Sequence, residues 1–246
     1  MADWLSGKVI EKIQWNERLF SLRIQCDFSA FEPGQFVRVA LDVEGERIAR
    51  PYSLVNKPAD DYLEIYFNIV HEGPLSPRLA GLECGDEIFV SERANGFLTI
   101  SELPECRHLW MLATGTGVGP FLSMLKSEDV WQRFERVVLA YSVRDRSELS
   151  YLEQIALIES QREKQFSFVP FVTREQIEGA VHQRITESIE NDSLENRTGI
   201  SIDEDSHVMM CGNSEMIAEV SAALEKRGLR KHRRREPGHL TTEKYH

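Results

Sequence analysis

Arg50-Pro51-Tyr52-Ser53 places a fixed cation, an aromatic face and a hydroxyl within four residues, with a proline to stiffen the chain. On a strand the side chains alternate, so Arg50 and Tyr52 share one face, while Ser53 points to the other or sits at a bend. That set suits a flavin: the guanidinium for phosphate, the tyrosine ring for the isoalloxazine and the serine hydroxyl near the reactive ring edge. An ordinary exposed strand would carry the same four residues. What decides between them is whether the chain holds the other half of a redox site.

The turn Thr114-Gly115-Thr116-Gly117-Val118-Gly119-Pro120 is a second chemical feature. It follows Leu109–Ala113, a continuous apolar run of the kind buried on both faces in a parallel sheet, and precedes a helix beginning near Pro120. Glycines permit close backbone approach, and exposed N–H groups at a helix start suit a pyrophosphate. The spacing differs from the G-x-G-x-x-G dinucleotide fingerprint and lacks the Lys-Ser/Thr of a P-loop; tight packing is another use for such glycines. The next strand ends at Tyr141-Ser142-Val143-Arg144. Near this place NAD sites put an acid for the ribose 2′-hydroxyl, whereas NADP sites put cations for the 2′-phosphate. Ser142 and Arg144 come before Asp145, Arg174 ends the following strand, and Arg184 lies in the connection after it. Three arginines near adjacent strand ends can converge on one phosphate as planar, two-pronged donors, which favours NADPH over NADH. Cys211-Gly212 ends a further buried strand. A cysteine there is inert packing or a positioning group, and the second role needs no lowered pKa.

Two kinds of domain have to hold these residues. Through the first hundred residues, alternating runs at Lys8–Ile13, Leu19–Ile24, Phe36–Leu41, Leu63–Val70 and Glu87–Val90 are separated by turns such as Pro33-Gly34 and Cys84-Gly85-Asp86. Short, regularly spaced strands predict an antiparallel barrel. A short helix is expected from Ser76, with Ser76 as its cap and Pro77 in the first turn. Beyond Leu103, strands at Leu109–Ala113, Arg136–Tyr141, Phe166–Val172 and His207–Cys211 alternate with helices at Glu148–Glu163 and Ser214–Arg227. Residues 179–206 read as a polar connection with one short helix. The predicted fold class is β + α/β: an N-terminal antiparallel β-barrel domain over residues 1–103, then a parallel-sheet α/β domain over residues 104–246.

An apolar content of 41% with 28% charged residues is that of a soluble globular protein. No apolar stretch approaches the roughly 18 residues of a membrane span. The start has neither the basic nor the apolar region of a signal peptide, so a cytoplasmic location is expected. Cys26, Cys84, Cys106 and Cys211 form no C-x-x-C, which argues against zinc, a thiolate-bound iron–sulfur cluster or a disulfide scaffold. No metal is expected, and redox chemistry falls to an organic cofactor or a single thiol. A net charge of −11 disfavours nucleic acid as a partner. Arg227–Arg235 nevertheless gathers Arg227, Arg230, Lys231, Arg233, Arg234 and Arg235 with no acid among them. That stretch suits docking of a small acidic protein, or is a solvated helix end and turn.

The order Pro33-Gly34-Gln35-Phe36, Arg50-Pro51-Tyr52-Ser53, Gly73-Pro74-Leu75-Ser76, the Gly115–Pro120 turn and Cys211-Gly212-Asn213 resembles the ferredoxin–NADP reductases. The resemblance is nearest to the bacterial ferredoxin/flavodoxin–NADP reductases and runs from the first strand to Leu240-Thr241-Thr242-Glu243-Lys244-Tyr245. It implies one non-covalent FAD, held by the barrel domain, and NADP(H), held by the α/β domain, whose C-terminal tail returns to the flavin. To FAD it assigns Arg50, Pro51, Tyr52, Ser53, Ile65, Tyr66, Phe67, Pro74, Leu75, Ser76, Thr116, Tyr245 and His246. Tyr52 would face one side of the flavin ring, Tyr245 the other, and Ser53 would lie near N5; Tyr66 and Phe67 also fit plain strand packing. To NADP it assigns Gly115, Thr116, Gly117, Ser142, Arg144, Arg174, Arg184, Cys211, Gly212, Asn213 and Met216. The implied catalytic residues are Tyr52, Ser53, Cys211, Glu243 and Tyr245, with Glu243 as a proton relay. Two positions depart from the usual pattern: Pro51 where a small residue is common, and His246 where an aromatic commonly covers the adenine.

The activity implied is hydride transfer between NADP(H) and FAD and single-electron transfer between FAD and ferredoxin or flavodoxin, mainly from NADPH to the acceptor. An NAD(P)H–flavin reductase or oxygenase-linked reductase is one alternative, and a non-enzymatic flavin electron-transfer subunit another. Acceptor docking is expected near Arg227–Arg235 and the flavin edge. A monomer is expected, with neither nucleic acid nor membrane as partner.

Overall fold

The computed structural model describes residues 3–245. The chain divides into two compact units, one formed by residues up to Thr99 together with Gly119–Ser127, the other by Ile100–Val118 with the residues from Glu128 onward.

The first unit holds strands β1 (Trp4–Gln14), β2 (Leu19–Gln25), β3 (Phe36–Val43), β4 (Glu46–Ser53), β5 (Leu63–Asn68) and β6 (Glu87–Ser91), with helix α1 (Ser76–Ala80) between the last two. They form one sheet in the order β4-β3-β6-β1-β2-β5, every pair antiparallel. The two edge strands meet through an antiparallel bridge between Leu54 and Ile65, and Val55 N–H donates to Glu64 O at 2.9 Å. The sheet thus closes into the expected barrel. The alternation read from sequence turns Phe20, Leu22 and Ile24 of β2 and Val37 and Val39 of β3 into its interior. β4 carries Pro51, which has no N–H to give a ladder and is tolerated because β4 is an edge strand. Across from it, Arg38 sends its own N–H to Ser91 Oγ instead.

Helix α1 forms where expected, with Pro77 in its first turn, but Ser76 is not its cap. Leu75 occupies that position, and the Ser76 hydroxyl accepts the N–H of Val70 at 2.9 Å. Helix α2 (Gly119–Leu125) also packs within this unit. Just beyond and within it, Lys126 Nζ donates to Val55 O and Ser123 Oγ to Asn56 O, at 3.1 and 2.6 Å.

The second unit is a five-stranded parallel sheet of β7 (His108–Thr114), β8 (Arg136–Val143), β9 (Phe166–Val172), β10 (Ser206–Gly212) and β11 (Leu240–Lys244). Its helices are α3 (Glu128–Arg133), α4 (Leu152–Gln161), α5 (Ile185–Glu190), α6 (Ser193–Thr198) and α7 (Ser214–Lys226). Two short helices therefore stand in the 179–206 connection, where one was expected. The strand order is β11-β10-β7-β8-β9. The order in which the chain adds strands reverses between β7 and β10, so a crevice opens beyond their carboxyl ends. Trp110, Leu112, Val208 and Met210 face a core closed by α5, α6 and α7. Leu109, Met111, Leu139 and Tyr141, alternating with these, are also wholly buried. Two-sided burial explains the continuous apolar runs of β7 and β8.

β11 was not legible as a strand. It pairs parallel with β10, placing Cys211 opposite Glu243 and Gly212 opposite Lys244.

At the amino end of β10, His207 is fully buried, its Nε2 2.8 Å from Thr241 Oγ1 and its ring edge-on to His232 at 5.6 Å. Burial first, then the positive charges of His232, His239 and Arg133, lower its pKa from 6.5 to about 3. His207 is therefore neutral in the fold, while the unfolded chain takes up its proton near pH 6.5. Its contribution to stability is whole above that pH and drains away as the pH falls towards 3, by at most about 1.4 kcal/mol per pH unit. The variant His207→Gln, compared with wild type by urea unfolding at pH 7 and pH 5, should lose part of that acid slope. An unchanged slope would remove His207 as its source.

Candidate functional site

In the first unit the candidate residues cluster at the end of β4 and on β5. Arg50 is exposed, and its guanidinium donates to the carbonyl of its neighbour Ala49 at 2.8 Å. Tyr52 is half-buried, its ring edge-on to Phe67 at 5.9 Å. Burial pushes its hydroxyl pKa up to about 12 against the opposing charge of Arg50, so it stays an O–H donor at any working pH. Ser53 is buried opposite Phe36 at the end of the strand. Ile65, Tyr66, Phe67 and Leu75 are all core residues, at most 4% exposed, and Phe67 stacks on Phe20 at 6.1 Å. The side chains of Ile65, Phe67 and Leu75 pack the barrel core, whereas Tyr66 faces the other side of β5, edge-on to Trp15 at 6.5 Å. Pro74 is exposed and Ser76 is buried.

In the second unit the candidates gather beyond the carboxyl ends of the strands. Gly115–Val118 is a single tight helical turn. Gly115 has φ +53° and open space on the side where a Cβ would point. Gly117 does not face a ligand: a Cβ there would lie 2.4 Å from Cys211 O, so this glycine lets the turn pack on the end of β10. Gly212 returns the contact. Its φ is +126°, and a Cβ would lie 2.2 Å from Thr114 Oγ1. The same Thr114 hydroxyl accepts the N–H of Asn213 at 2.7 Å. The two strand ends flanking the crevice are thus locked together by backbone contact, with Thr116 on the partly exposed outer part of the turn.

Cys211 is wholly buried, and burial, reinforced by Glu243, raises its thiol well above the ordinary range although a side-chain hydrogen bond with Tyr245 opposes this. It is a neutral thiol, fit to position and not to attack. Tyr245 is anchored past the end of β11 by its N–H to Gly212 O at 3.0 Å. Cys211, Glu243 and Tyr245 are therefore one cluster, brought together by β11. His246 lies outside the described residues.

The arginines all stand at this end of the sheet. Arg174 N–H donates to Arg144 O at 2.9 Å, so their backbones touch. Both residues are exposed, and among the described residues neither guanidinium forms an ion pair. Arg184 differs: it is held 2.9 Å from Glu219 and 3.8 Å from Glu215 of α7. Ser142 is buried between Thr114 and Phe171 in the register. Asn213 caps α7, its side-chain oxygen accepting from Glu215 and Met216 N–H at 2.9 and 3.0 Å, and Met216 points into the core.

This chain is similar over its whole length to flavodoxin/ferredoxin–NADP reductases of Shigella flexneri and Escherichia coli (strain K12), at 42% identity over 100% of each chain. The chain belongs to the ferredoxin/flavodoxin–NADP reductase family. The family described as oxidoreductase FAD-binding domain matches residues 7–92, and oxidoreductase NAD-binding domain matches residues 111–222. A ferredoxin NADP+ reductase of Neisseria gonorrhoeae, crystallised with bound FAD and NADP, superposes with a TM-score of 0.94 at 32% identity, covering 99% of both chains.

The Arg227–Arg235 stretch follows α7 and precedes β11, so it lies at the amino end of the sheet, opposite Tyr245. The five residues of β11 separate the two ends by about 17 Å. Arg227 is spent on Asp192 and Glu195, and Arg234 on Glu102. The stretch is therefore not beside the Cys211–Tyr245 cluster but a sheet-length from it. Sequence reasoning also missed Thr114, whose hydroxyl joins the strand ends; only its place before Gly115 marked it.

Proposed function

We propose that the protein is an FAD-dependent reductase that takes electrons from NADPH and delivers them to ferredoxin or flavodoxin. Family membership over the full length supports the activity. The observation that supports NADPH over NADH is that Arg144 and Arg174, whose backbones touch at the carboxyl edge of the sheet, are both exposed and carry unneutralised guanidinium groups. No acid pairs with them among the described residues, whereas the third cation, Arg184, is already shared with Glu219. Two free planar cations fit the charge and geometry of a 2′-phosphate.

The residues fit the cofactors. Arg50 offers guanidinium donors beyond its bond to Ala49, and Tyr52 offers a ring and a protonated hydroxyl. Bound FAD supplies the exchange between a two-electron donor, NADPH, and a one-electron carrier. In this reading Arg50, Tyr52 and Ser53, with Pro74, hold the flavin, and Pro51 keeps the edge strand extended between them. Thr116 and the open side of Gly115 receive the dinucleotide, and Asn213 shapes the helix start next to it. Cys211, uncharged, orients the nicotinamide end with Tyr245, while Glu243 holds or moves a proton there. Ile65, Tyr66, Phe67, Leu75, Gly117, Ser142 and Met216 support the site by packing or through their backbone.

Reoxidation tests the reading. NADPH-reduced protein mixed anaerobically with oxidised ferredoxin or flavodoxin should lose its electrons to at least one of them. If free flavin were the only acceptor, the flavin-reductase alternative would replace this one; if none worked and NADPH failed to reduce the protein, the non-enzymatic subunit would.

A further inference from the structure

We propose that Glu148 is a positioning residue for the Arg144–Arg174 pair and thereby for the preference for NADPH; the proposal rests on the 2′-phosphate reading above. Strand β8 ends at Val143, and the next two backbone N–H groups, of Arg144 and Asp145, both donate to Glu148 Oε2, at 2.9 and 3.4 Å. The Arg144 carbonyl accepts the N–H of Arg174 at 2.9 Å, and the Val143 carbonyl that of Thr173 at 3.1 Å. The Arg144 peptide is therefore gripped from both sides, and the roots of the two arginines are tied to each other. The turn that carries the carboxylate is itself fixed, because the buried Tyr141 donates its hydroxyl to Glu148 O at 3.1 Å.

A carboxylate in this loop is the group with which NAD sites take the ribose 2′-hydroxyl. Here it is turned back on the backbone, and its charge is met by two amides. A charged acceptor makes about twice as strong a bond as a neutral one, so the turn is firmly set. Two effects follow. The Glu148 charge is kept off the place where a dianionic phosphate would sit, and Arg144 keeps a fixed root. An arginine's two-pronged grip depends on geometry, so a loosened root weakens it more than it weakens a point charge.

The test uses the intact FAD-loaded protein and two probes that differ only in the presence of the 2′-phosphate, 2′-phospho-AMP and 5′-AMP, with KM and kcat for NADPH and NADH alongside. Glu148→Ala should weaken 2′-phospho-AMP about tenfold, the equivalent of one charge-assisted hydrogen bond, and raise the KM for NADPH to match. Binding of 5′-AMP, the KM for NADH and both kcat values should stay as they were. Glu148→Gln, which keeps an oxygen acceptor, should recover most of the loss. If both variants bound 2′-phospho-AMP more tightly, Glu148 would be a repelling charge and the proposal overturned. Equal weakening of both probes, or no change in either, would overturn it too. A wild-type protein that bound the two probes alike would refute the 2′-phosphate reading before any variant was made, and this proposal with it.

Discussion

Gly212→Ala should destabilise the protein by about 3–5 kcal/mol, adding backbone strain at positive φ to overpacking against a neighbouring strand. At φ +126° an L side chain is strained wherever it points, and here a Cβ would also stand 2.2 Å from Thr114 Oγ1 and 2.6 Å from Thr114 O. The second contact is with backbone, which cannot swing aside. Relief would have to come from parting β7 and β10, whose contact the Thr114 hydroxyl and the Asn213 N–H also maintain. For a chain of this size such a loss lowers Tm by on the order of 10 °C. Gly115→Ala is the control. Its φ of +53° is also left-handed, but nothing stands within 4 Å, so it should lose only about 1 kcal/mol. Thermal unfolding of the two variants separates them; equal losses would mean that the strand ends are not packed as described.

Arg174→Ala should raise the KM for NADPH by roughly 10- to 100-fold, the range for losing a charge-assisted hydrogen bond to a phosphate, while leaving kcat and the KM for NADH close to wild type. The effect should be clean because the guanidinium is exposed and has no ion pair among the described residues, so its removal leaves no partner stranded. Arg184→Ala is less simple, since it frees Glu219 at the same time. If the KM for NADPH were unchanged in Arg174→Ala, the 2′-phosphate would have to be bound elsewhere.

The sequence was most legible where burial is one-sided or complete. Alternation along β2 and β3 revealed a barrel, and the unbroken apolar runs of β7 and β8 revealed a sheet covered on both faces. It was least legible at edges. Leu240-Thr-Thr-Glu-Lys244 has one buried residue in five, because an edge strand has a neighbour on one side only, and so it did not read as a strand. That strand is what brings Glu243 and Tyr245 to Cys211. Charge stretches were legible only in part, for a related reason. Six cations in Arg227–Arg235 looked like one surface, but ion pairs with Asp192, Glu195 and Glu102 come from distant segments and cannot be read locally. The glycine turn was legible as a whole but not by residue: Gly117 serves packing against Cys211, whereas Gly115 leaves open space.

Electrons should enter this reductase from NADPH. FAD-loaded protein mixed anaerobically in a stopped-flow instrument with NADPH or with NADH, at matched concentrations, tests this through the bleaching of the flavin absorbance. NADPH should bleach it in a single rapid phase, with at least tenfold greater efficiency than NADH. Equal efficiency, or faster bleaching by NADH, would contradict the account.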